Sequence, residues 1–445
     1  MPFERVLTVA GSDSGGGAGI QADLKTITVL GGFGMSAITA LTAQNTREVT
    51  GVHAVPPEFV LRQIEAVASD IGVDAAKTGM LANREIVEVV AEAVRRFAIR
   101  PLVVDPVLVS KGGHSLLSED ARESLVRLLF PCADLVTPNL PEAELLSGRS
   151  VESEDRRRDA ARALAGLGAK AVLLKGGHGQ GSEAADLLFD GTGFTVFSAP
   201  RIDTANTHGT GCTYSAAIAT FLARDTDLAK AIEKAKAFIT GAIRFSLAIG
   251  GGHGPTNPYS AAFRDAERYQ VLALLEKVGR EVQKHTALGR LAPEVQSNLG
   301  FALPLAASPD EVAAFPGRLV RLPEGLAPVR APAFGASRHI ASVILAAMRI
   351  HPELRSAMNI RFSEEVLARA GGHGFRIAFF DRAREPEEVK RREGSTLEWG
   401  TLQALREAPS RPDLICDRGE AGKEPMIRLL GTDPEDVFRK LVLLV

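Results

Sequence analysis

A glycine-rich turn that opens into a helix of small residues carries the clearest chemical signal in the chain. Residues 206–217 read N-T-H-G-T-G-C-T-Y-S-A-A. Gly209 and Gly211 have no Cβ, so the backbone can turn tightly there and approach a ligand closely. Free N–H groups at the start of the following helix attract phosphate and stabilise charge that develops beside them. We expect Cys212, at this point, to lose its proton more easily than a thiol in water.

The turn by itself supports two interpretations. In the first it is a phosphoryl-transfer centre, and Cys212 is the base. In the second Cys212 is a small buried hydrophobe on a glycine-rich turn, which is a common environment for free cysteines. The other motifs of the chain have to decide between the two.

A second glycine-rich segment, G-S-D-S-G-G-G-A-G-I-Q-A-D, spans residues 11–23. It does not match a dinucleotide-binding pattern, because Ile20 stands where the third glycine would be. We interpret it as a flexible loop over a small polar substrate, with Asp23 on the next helix as an acceptor for an amino group. Gln44, in A-L-T-A-Q-N-T, can donate and accept hydrogen bonds at once, which suits an aminopyrimidine edge. The alternative for Gln44 is an ordinary polar residue at the end of an element.

Any nucleotide has to be held without a P-loop, because the chain contains no G-x-x-x-x-G-K-[ST] segment. The segment D-R-G-E-A-G-K at 417–423 has the wrong spacing. The candidates are Lys175, at the end of a predicted strand, and Glu142 in T-P-N-L-P-E-A-E. Asp105, in V-V-D-P-V, is a candidate to help hold Mg²⁺, which takes few carboxylates together with phosphates and waters.

Two segments in the last third of the chain indicate a second anion site. Arg318 lies in P-G-R-L-V-R-L-P, and Arg338 and His339 lie in F-G-A-S-R-H-I-A-S-V-I-L. Ser337 is a predicted N-cap, which puts Arg338 and His339 in the first turn of a helix. Cations there oppose the helix dipole, so we favour a phosphate or pyrophosphate bound between them and the free N–H groups. Solvated side chains are the alternative. Acid–base pairs also stand at later predicted strand ends, in F-F-D-R and I-C-D-R-G-E-A-G-K-E.

The elements that must position these motifs alternate between short β-rich and longer helical segments over the first 260 residues. The predicted strands are 5–10, 102–105, 135–138 and 171–175. The predicted helices are 20–30, 57–70, 84–96, 119–129, 153–167 and 228–249. Such alternation predicts an α/β fold with a mostly parallel sheet and helices on both faces. Ligands bind beyond the carboxyl ends of such strands, and several of the motifs directly follow predicted strands.

A segment dense in helix breakers, G-G-G-H-G-P-T-N-P-Y-S at 250–260, predicts a domain boundary. We therefore expect a first domain at 1–260, a helical linker at 261–290 and a second, smaller α/β domain at 291–445. The predicted strands of the second domain are 319–322, 375–381 and 414–417. Its predicted helices are 337–349 and 434–444.

The bulk composition is that of a soluble globular protein. The 445 residues are 45% hydrophobic and 24% charged, and the net charge is −2. No overall field favours nucleic acid or an anionic membrane. Three scattered cysteines without a C-x-x-C pair exclude a Cys-rich zinc site and fit a reducing compartment. Because no apolar run has the length of a signal peptide or a membrane span, we expect the protein to work in the cytoplasm.

Residues 6–260 resemble the hydroxymethylpyrimidine and phosphomethylpyrimidine kinases of thiamine biosynthesis, which have a ribokinase-like fold. The resemblance rests on seven motifs that occur in family order: A-G-S-D-S-G-G-G-A-G-I-Q-A-D-L-K-T, T-A-Q-N-T, K-T-G-M-L, V-V-D-P-V, T-P-N-L-P-E-A-E-L-L, L-L-K-G-G-H and H-G-T-G-C-T-Y-S-A-A-I-A. Much of the wider superfamily has Asp at the position of Cys212, whereas these kinases and some pyridoxal kinases have Cys.

The resemblance implies roles for residues in three groups. The pyrimidine pocket would be lined by Gly11, Asp23, Gln44, Met80 and Val107. ATP would be bound by Lys175, Asn139 and Thr210, with Asp105 and Glu142 near Mg²⁺. Gly209, Gly211 and the N–H of Cys212 would form the anion hole, and Cys212 would take the proton from the substrate hydroxyl or its phosphate.

Residues 291–445 resemble the thiamine-phosphate synthase domain that follows such kinases in some prokaryotes. The motifs are E-V-Q-S-N-L-G-F-A, F-P-G-R-L, F-G-A-S-R-H-I-A, N-I-R-F and D-R-G-E-A-G-K-E-P-M-I-R. The implied reaction joins hydroxymethylpyrimidine diphosphate to thiazole phosphate and releases pyrophosphate. Arg318 would hold the diphosphate and Arg338 would contribute to substrate binding. His339 would bind phosphate or assist proton removal.

Two other functions are compatible with the sequence. The second domain is either a synthase or a non-catalytic ligand sensor, although no basic helix-turn-helix pattern points to a repressor. The first domain is alternatively a pyridoxal-type kinase, which shares the fold and the cysteine. The expected partners are small-molecule substrates, without nucleic acid or membrane, and we expect a homo-oligomer.

Overall fold

The structure, a computed structural model, describes residues 3–108, 118–178, 181–224, 226–390, 395–420 and 422–445. Its contacts divide the chain into two compact units, Met1–Ala262 and Phe263–Val445. Among the described helices, none combines the length and the apolar character that crossing a bilayer requires.

The first unit is built on one large sheet and a separate hairpin. Its described strands are β1 (Arg5–Ala10), β2 (Phe33–Ile38), β3 (Ala40–Gln44), β4 (Val49–Ala54), β5 (Ala75–Thr78), β6 (Leu102–Val104), β7 (Leu135–Val136), β8 (Val172–Leu174), β9 (Glu183–Phe189) and β10 (Phe194–Pro200). The large sheet has the order β10-β9-β8-β7-β6-β5-β1-β2, and β3 pairs with β4 in the hairpin. Neighbouring strands are parallel from β8 through β7, β6, β5 and β1 to β2. Strands β9 and β10 add an antiparallel edge next to β8. The predicted mostly parallel sheet is confirmed.

Helices cover both faces of this sheet. They are α1 (Gly19–Val29), α2 (Pro57–Asp70), α3 (Arg84–Arg96), α4 (Glu119–Ser124), α5 (Leu140–Ser147), α6 (Glu154–Gly166), α7 (Thr210–Leu222) and α8 (Leu228–Arg244). Apolar residues of α2, α3, α5 and α6 share one core with the sheet. Apolar residues of α1, α7 and α8 share a second core with the other face. The glycine-rich segment that begins at Gly11, the glycine loop, precedes α1. The glycine-rich segment that begins at Asn206, the glycine turn, precedes α7. Both segments therefore lie at the start of helices in the same layer.

Local sequence signals explain where these helices begin and end. Asn83 caps α3 by accepting from the N–H of Ile86 at 2.9 Å, and Pro57 begins α2, so both helices have the predicted limits. The helix predicted at 119–129 continues from α4 as a π-helical segment, Leu125–Leu129. The helix predicted at 228–249 is shorter, because α8 ends at Arg244.

The second unit contains a seven-stranded sheet and a hairpin. Its described strands are β11 (Leu299–Ala302), β12 (Val312–Ala314), β13 (Leu319–Leu322), β14 (Gly325–Pro328), β15 (Ala333–Phe334), β16 (Ser356–Arg361), β17 (Ile377–Phe379), β18 (Leu414–Asp417) and β19 (Met426–Gly431). The sheet order is β15-β12-β11-β16-β19-β18-β17, and β13 pairs with β14. The pairs are antiparallel except β17–β18. The smaller second α/β domain is thus present, with a mainly antiparallel sheet.

The helices of the second unit are α9 (Ser260–Lys284), α10 (Arg338–Ile350), α11 (Glu364–Gly372), α12 (Glu387–Lys390), α13 (Ser395–Glu407) and α14 (Pro434–Val442). Helix α9 falls in the segment predicted as a linker. It buries Val271, Leu275, Val278 and Val282 in the same core as the second sheet. These residues follow helical spacing, so α9 is a structural element of the second unit and does more than connect.

Candidate active sites

The glycine turn sits at the N-terminus of α7, as predicted. Gly209 is the N-cap, with φ +77°, and a Cβ there would lie 1.8 Å from the backbone oxygen of Gly17. The position therefore requires glycine both for its conformation and for its contact with the glycine loop. No side chain caps the helix, and the N–H of Thr210 donates to the backbone oxygen of Thr207 at 3.4 Å. The N–H groups of Gly211 and Cys212 have no intrahelical acceptor by helix geometry, so they are free to bind an anion.

An ion pair lies against this helix start. A Cβ on Gly211 would be 3.3 Å from Asp105 Oδ2 and 3.4 Å from Lys175 Nζ. Lys175 Nζ lies 2.7 Å from Asp105 Oδ1, and Thr137 Oγ1 donates to the same oxygen at 3.2 Å. Gly211, Asp105 and Lys175, which the sequence analysis selected from three separate segments, therefore meet at the carboxyl ends of parallel strands.

The charges of this pair are stabilised by each other. Burial alone would raise the pKa of Asp105, but Lys175 and Lys77 outweigh burial and hold the pKa below its usual value. Burial likewise disfavours the charged form of Lys175, and Asp105 and Glu142 reverse this, so the pKa of Lys175 is raised. Lys175 is thus a fixed positive charge beside the free N–H groups of α7.

Asn139 and Glu142, predicted to contact ATP and metal, form the capping box of α5. Asn139 accepts from the N–H of Glu142 at 2.9 Å, and Glu142 Oε2 accepts from the N–H of Asn139 at 2.8 Å. Burial raises the pKa of Glu142 to about 7, although Lys175 opposes the shift. Both residues thus have a structural role that the sequence analysis did not assign.

The expectation that Cys212 loses its proton easily is wrong for the enzyme without ligands. Burial raises the pKa of the thiol to about 11, with contributions from Asp23 and Asp105, and Lys77 only partly offsets them. The helix N-terminus and the nearby lysine favour the thiolate, but the loss of water around the sulfur outweighs them. The half-buried thiol is therefore protonated at neutral pH.

Three of the residues predicted to line the pyrimidine pocket lie next to the Asp105 site. The N–H of Gly11 donates to the backbone oxygen of Met80 at 3.1 Å, and a Cβ on Gly11 would lie 2.5 Å from Met80 Cε. The N–H of Val107 donates to the backbone oxygen of Asp105 at 2.9 Å. The strand ends of β1, β5 and β6 therefore bring Gly11, Met80 and Val107 to the same edge of the sheet as the anion site.

The glycine loop is held in place by Asp13, a residue that the sequence analysis missed. The buried carboxylate of Asp13 accepts from the N–H groups of Gly15, Gly17 and Ala18 at 2.8–3.0 Å. His208 Nε2 lies 2.8 Å from the same carboxylate. The prediction of a flexible loop is wrong on this point, because one carboxylate fixes three backbone groups of the loop.

Gln44 reaches this cluster from the end of β3. Its Nε2 lies 3.3 Å from His208 Nε2, and its Oε1 accepts from Thr42 Oγ1 at 3.4 Å. His208 thus connects Gln44 to Asp13 and the glycine loop. The signal in the sequence was the histidine directly before Gly209, in the motif already singled out.

Asp23 is fully buried and paired with Lys77, which the sequence analysis did not select. Lys77 Nζ lies 3.1 and 3.2 Å from the two carboxylate oxygens, and Thr8 Oγ1 donates to Oδ2 at 2.7 Å. Asp23, Asp105 and Cys212 outweigh the effect of burial and raise the pKa of Lys77, so it stays charged. The available signal was a lysine inside the short apolar strand A-A-K-T, where a charge is unusual.

In the second unit, the predicted helix start is confirmed. Ser337 caps α10 by accepting from the N–H of Ile340 at 3.5 Å, and Arg338 and His339 are exposed in the first turn. Arg318 is also exposed, and it has φ +73°, which is uncommon for a residue with a side chain. Its guanidinium donates to the backbone oxygen of Val295. Within the described residues, no hydrogen bond or ion pair joins Arg318 to Arg338 or His339.

A buried charge cluster at the end of β18 was only partly foreseen. Arg382 and Arg428 both bind Asp417, at 2.7 and 2.8 Å, and all three side chains are buried. Burial opposes ionisation of Asp417, but Arg382 and Arg428 outweigh it and lower the pKa of this carboxyl. The pairing crosses between the two motifs F-F-D-R and I-C-D-R, whereas the sequence suggested pairs within each motif.

In the part of the chain that the structure describes, no three His, Cys, Asp or Glu side chains are grouped so that they would hold a metal by themselves. Free helix N–H groups, a partly buried lysine and a carboxylate lie together at the ends of parallel strands, where sheets of this kind bind ligands.

The family profile of phosphomethylpyrimidine kinase matches residues 13–257, and that of thiamine-phosphate synthase ThiN matches residues 274–443. The chain belongs to the phosphomethylpyrimidine kinase family and carries a ThiN domain behind the kinase domain. It is 48% identical to the hydroxymethylpyrimidine/phosphomethylpyrimidine kinase of Bacillus subtilis over 58% of this chain and 96% of that protein. It is 56% identical to the thiamine biosynthesis bifunctional protein ThiED of Geobacter sulfurreducens over 59% of this chain and 54% of that protein, so it spans about half of that relative.

Solved structures give the same fold for the first unit. The ADP complex of Bacillus subtilis pyridoxal kinase is 38% identical, with a TM-score of 0.56 over 59% of this chain and 99% of that chain. The complex of Staphylococcus aureus pyridoxal kinase with AMP-PCP and pyridoxal is 34% identical, with a TM-score of 0.55 over 59% of this chain and 96% of that chain. The predicted fold class and the pairing of a pyrimidine kinase with a thiamine-phosphate synthase domain are confirmed, whereas the roles of individual residues stay predictions.

Proposed function

We propose that the first unit phosphorylates 4-amino-5-hydroxymethyl-2-methylpyrimidine and then its monophosphate, with ATP as the donor. The observation that carries this proposal is the meeting of Gly211, Asp105 and Lys175 at the start of α7. Phosphoryl transfer needs positioning and charge stabilisation more than covalent chemistry, and this arrangement supplies both. The free N–H groups of α7 stabilise the transferred phosphoryl group, and Lys175 contacts the phosphates of ATP together with Thr210.

The carboxylates near Lys175 suit a magnesium ion that arrives with the nucleotide. Mg²⁺ takes one or two carboxylates and completes its shell with phosphates and water. Asp105 and Glu142 lie close enough to Lys175 for both to act on its charge. They would hold the ion, which would neutralise charge on the phosphates when bound.

Cys212 is the proposed base for the substrate hydroxyl group. Its position beside the free N–H groups places it next to the transferred phosphoryl group. Because the pKa of the free thiol is about 11, the base role requires nearby positive charge, and we expect turnover to rise as the pH increases above neutrality. Cys212→Ala should abolish phosphorylation while ATP still binds, as measured by product formation and nucleotide titration. Full turnover in this variant would refute the base role.

Because pyridoxal kinases are among the similar solved structures, pyridoxal is the second candidate substrate. The Gln44 amide can donate and accept hydrogen bonds, which suits an aminopyrimidine edge. We therefore expect kcat/KM for the hydroxymethylpyrimidine to exceed that for pyridoxal. Measurement of both substrates with the same preparation decides the assignment, and a preference for pyridoxal would overturn it.

For the second unit we propose thiamine-phosphate synthase activity, with Arg318, Arg338 and His339 on the phosphate groups. An exposed arginine with φ +73° and a cationic helix start support this proposal. The direct test supplies hydroxymethylpyrimidine diphosphate and thiazole phosphate without ATP. Wild-type enzyme should release pyrophosphate, and Arg318→Ala should lose most of this activity. Binding of thiamine phosphate without any coupling would favour the ligand sensor.

The cellular setting also belongs to the proposal. We infer that the enzyme works on small molecules in the cytoplasm, without nucleic acid. A homo-oligomer stays a prediction, which sedimentation of the purified chain would test.

A further inference from the structure

Among the described residues of the first unit, Lys77 is the largest charged side chain that is completely buried. Its exposed fraction is 0%, and so is that of its partner Asp23. A lysine in the apolar interior is unfavourable unless its charge is paired, so its presence calls for an explanation. The reaction proposed above assigns it no role.

The register of the sheet shows which layer Lys77 faces. Lys77 lies opposite Thr8 in the parallel pair β1–β5, and successive residues of a strand point to opposite faces. The preceding residue, Ala76, belongs to the core shared with α2, α3, α5 and α6. Lys77 therefore points to the other face, where α1 and α7 pack.

Two functional side chains converge on this layer from the two helices. Asp23 comes from α1 and binds Lys77 at 3.1 Å. Cys212 comes from the first turn of α7, which packs on both α1 and β5. The charges that act on Cys212 include Lys77 and Lys175, which favour its thiolate, and Asp23 and Asp105, which oppose it. The thiol of Cys212 also accepts a hydrogen bond from the backbone N–H of Gly19.

We propose that Lys77 is a positioning residue of the kinase site, which fixes the Asp23 carboxylate between α1 and the sheet and supplies buried positive charge to Cys212. The Lys77 side chain has no exposed surface, so it acts through the residues around it and does not contact the reacting atoms. This inference rests on the proposed role of Cys212 and gives it the charge that it needs. It also explains why the lysine is tolerated inside a short apolar strand.

The test is the pH dependence of Cys212 alkylation by iodoacetamide in the full chain, without nucleotide or metal. Mass spectrometry of the peptide that contains Cys212 reports this thiol alone. Lys77→Met should move the alkylation midpoint to higher pH. At a fixed pH below the midpoint, alkylation should be about tenfold slower for each pH unit of this shift. Asp23→Asn should move the midpoint to lower pH, because it removes an opposing negative charge. Lys170→Met, whose side chain is 60% exposed, is the matched control and should leave the midpoint unchanged.

Opposite shifts distinguish an electrostatic role from a structural one. Loss of packing would expose the thiol in both variants and would move both midpoints in the same direction. Shifts in the same direction, or none, would overturn the proposal. If Lys77→Met does not fold, the double variant with Asp23→Asn and Lys77→Met replaces it. Its alkylation midpoint must then lie at a higher pH than that of Asp23→Asn alone.

The result does not depend on catalysis. Alkylation reads the thiol whether or not Cys212 is the base, whereas the activity of Cys212→Ala tests the base role. The expected shifts with an active Cys212→Ala enzyme would support Lys77 and refute the proposed base.

Discussion

Replacing Gly211 by alanine separates the anion site from the stability of the helix that forms it. The new Cβ would lie 3.3 Å from Asp105 Oδ2 and 3.4 Å from Lys175 Nζ, so the ion pair must shift by a few tenths of an ångström. The methyl group would also occupy the surface where the phosphoryl group is proposed to bind. The N–H of residue 211 is kept, but a displaced phosphoryl group loses its hydrogen bond to it; loss of one oxyanion-hole hydrogen bond costs about 10²–10³ in kcat, so we expect a loss of about 100-fold or more here.

Stability should not follow the same course. Glycine inside a helix is less stable than alanine by about 0.5–1 kcal/mol, and this gain offsets the shift of the ion pair, so Gly211→Ala should keep a stability close to that of wild type. Gly241→Ala is the matched control, because it lies within α8 and its Cβ would meet nothing within 4 Å. It should gain stability and keep full turnover.

The assay combines initial rates of pyrimidine phosphorylation with thermal unfolding of the same preparations. Gly211→Ala should lose kcat without a lower unfolding temperature, and Gly241→Ala should lose neither. Near wild-type turnover in Gly211→Ala would refute the placement of the anion site. An equal loss in Gly241→Ala would show that the effect is not local.

Three further predictions concern stability. Gly209→Ala should unfold at a clearly lower temperature than Gly148→Ala, because both have positive φ but only the first would meet a backbone oxygen, at 1.8 Å; equal unfolding temperatures would contradict this. Asp417→Asn leaves two buried arginines uncompensated, so it should destabilise the second unit by about 3 kcal/mol or more in denaturant unfolding. Arg418→Gln removes only an exposed ion pair and should change the free energy of unfolding little. Similar effects of the two variants would be evidence against the buried cluster. Burial raises the pKa of Glu142 from 4.5 to about 7, so the folded state keeps a proton that the unfolded state releases, and its contribution to stability is lost as the pH rises through this range. The free energy of unfolding should fall less between pH 5 and pH 7 in Glu142→Gln than in wild type. An equal fall in both would contradict the assigned pKa.

Much of the first unit could be predicted because its signals are local. The limits of α2 and α3 follow from a proline at the first helical position and from the cap Asn83. The glycine turn was also readable, since glycine is the residue that accepts φ +77° under a close backbone contact. Such features depend on neighbours within a few residues of the chain.

The features that escaped prediction depend on partners far apart in sequence. Lys77 pairs with Asp23 across 54 residues, and Asp13 meets His208 across 195 residues. The raised pKa of Cys212 depends on how completely the fold removes water from the thiol, which no spacing of residues reveals. The sequence identified several groups of the proposed site, but their protonation states depend on how the layers pack around them.

The time course of the complete reaction tests the central claim most directly. Purified full chain receives the hydroxymethylpyrimidine, ATP, Mg²⁺ and thiazole phosphate, and all products are followed together. We expect the mono- and diphosphate to appear in turn and then decline while thiamine phosphate and pyrophosphate accumulate. Accumulation of the pyrimidine diphosphate without thiamine phosphate would contradict the synthase assignment, and absence of any phosphorylated pyrimidine would contradict the kinase.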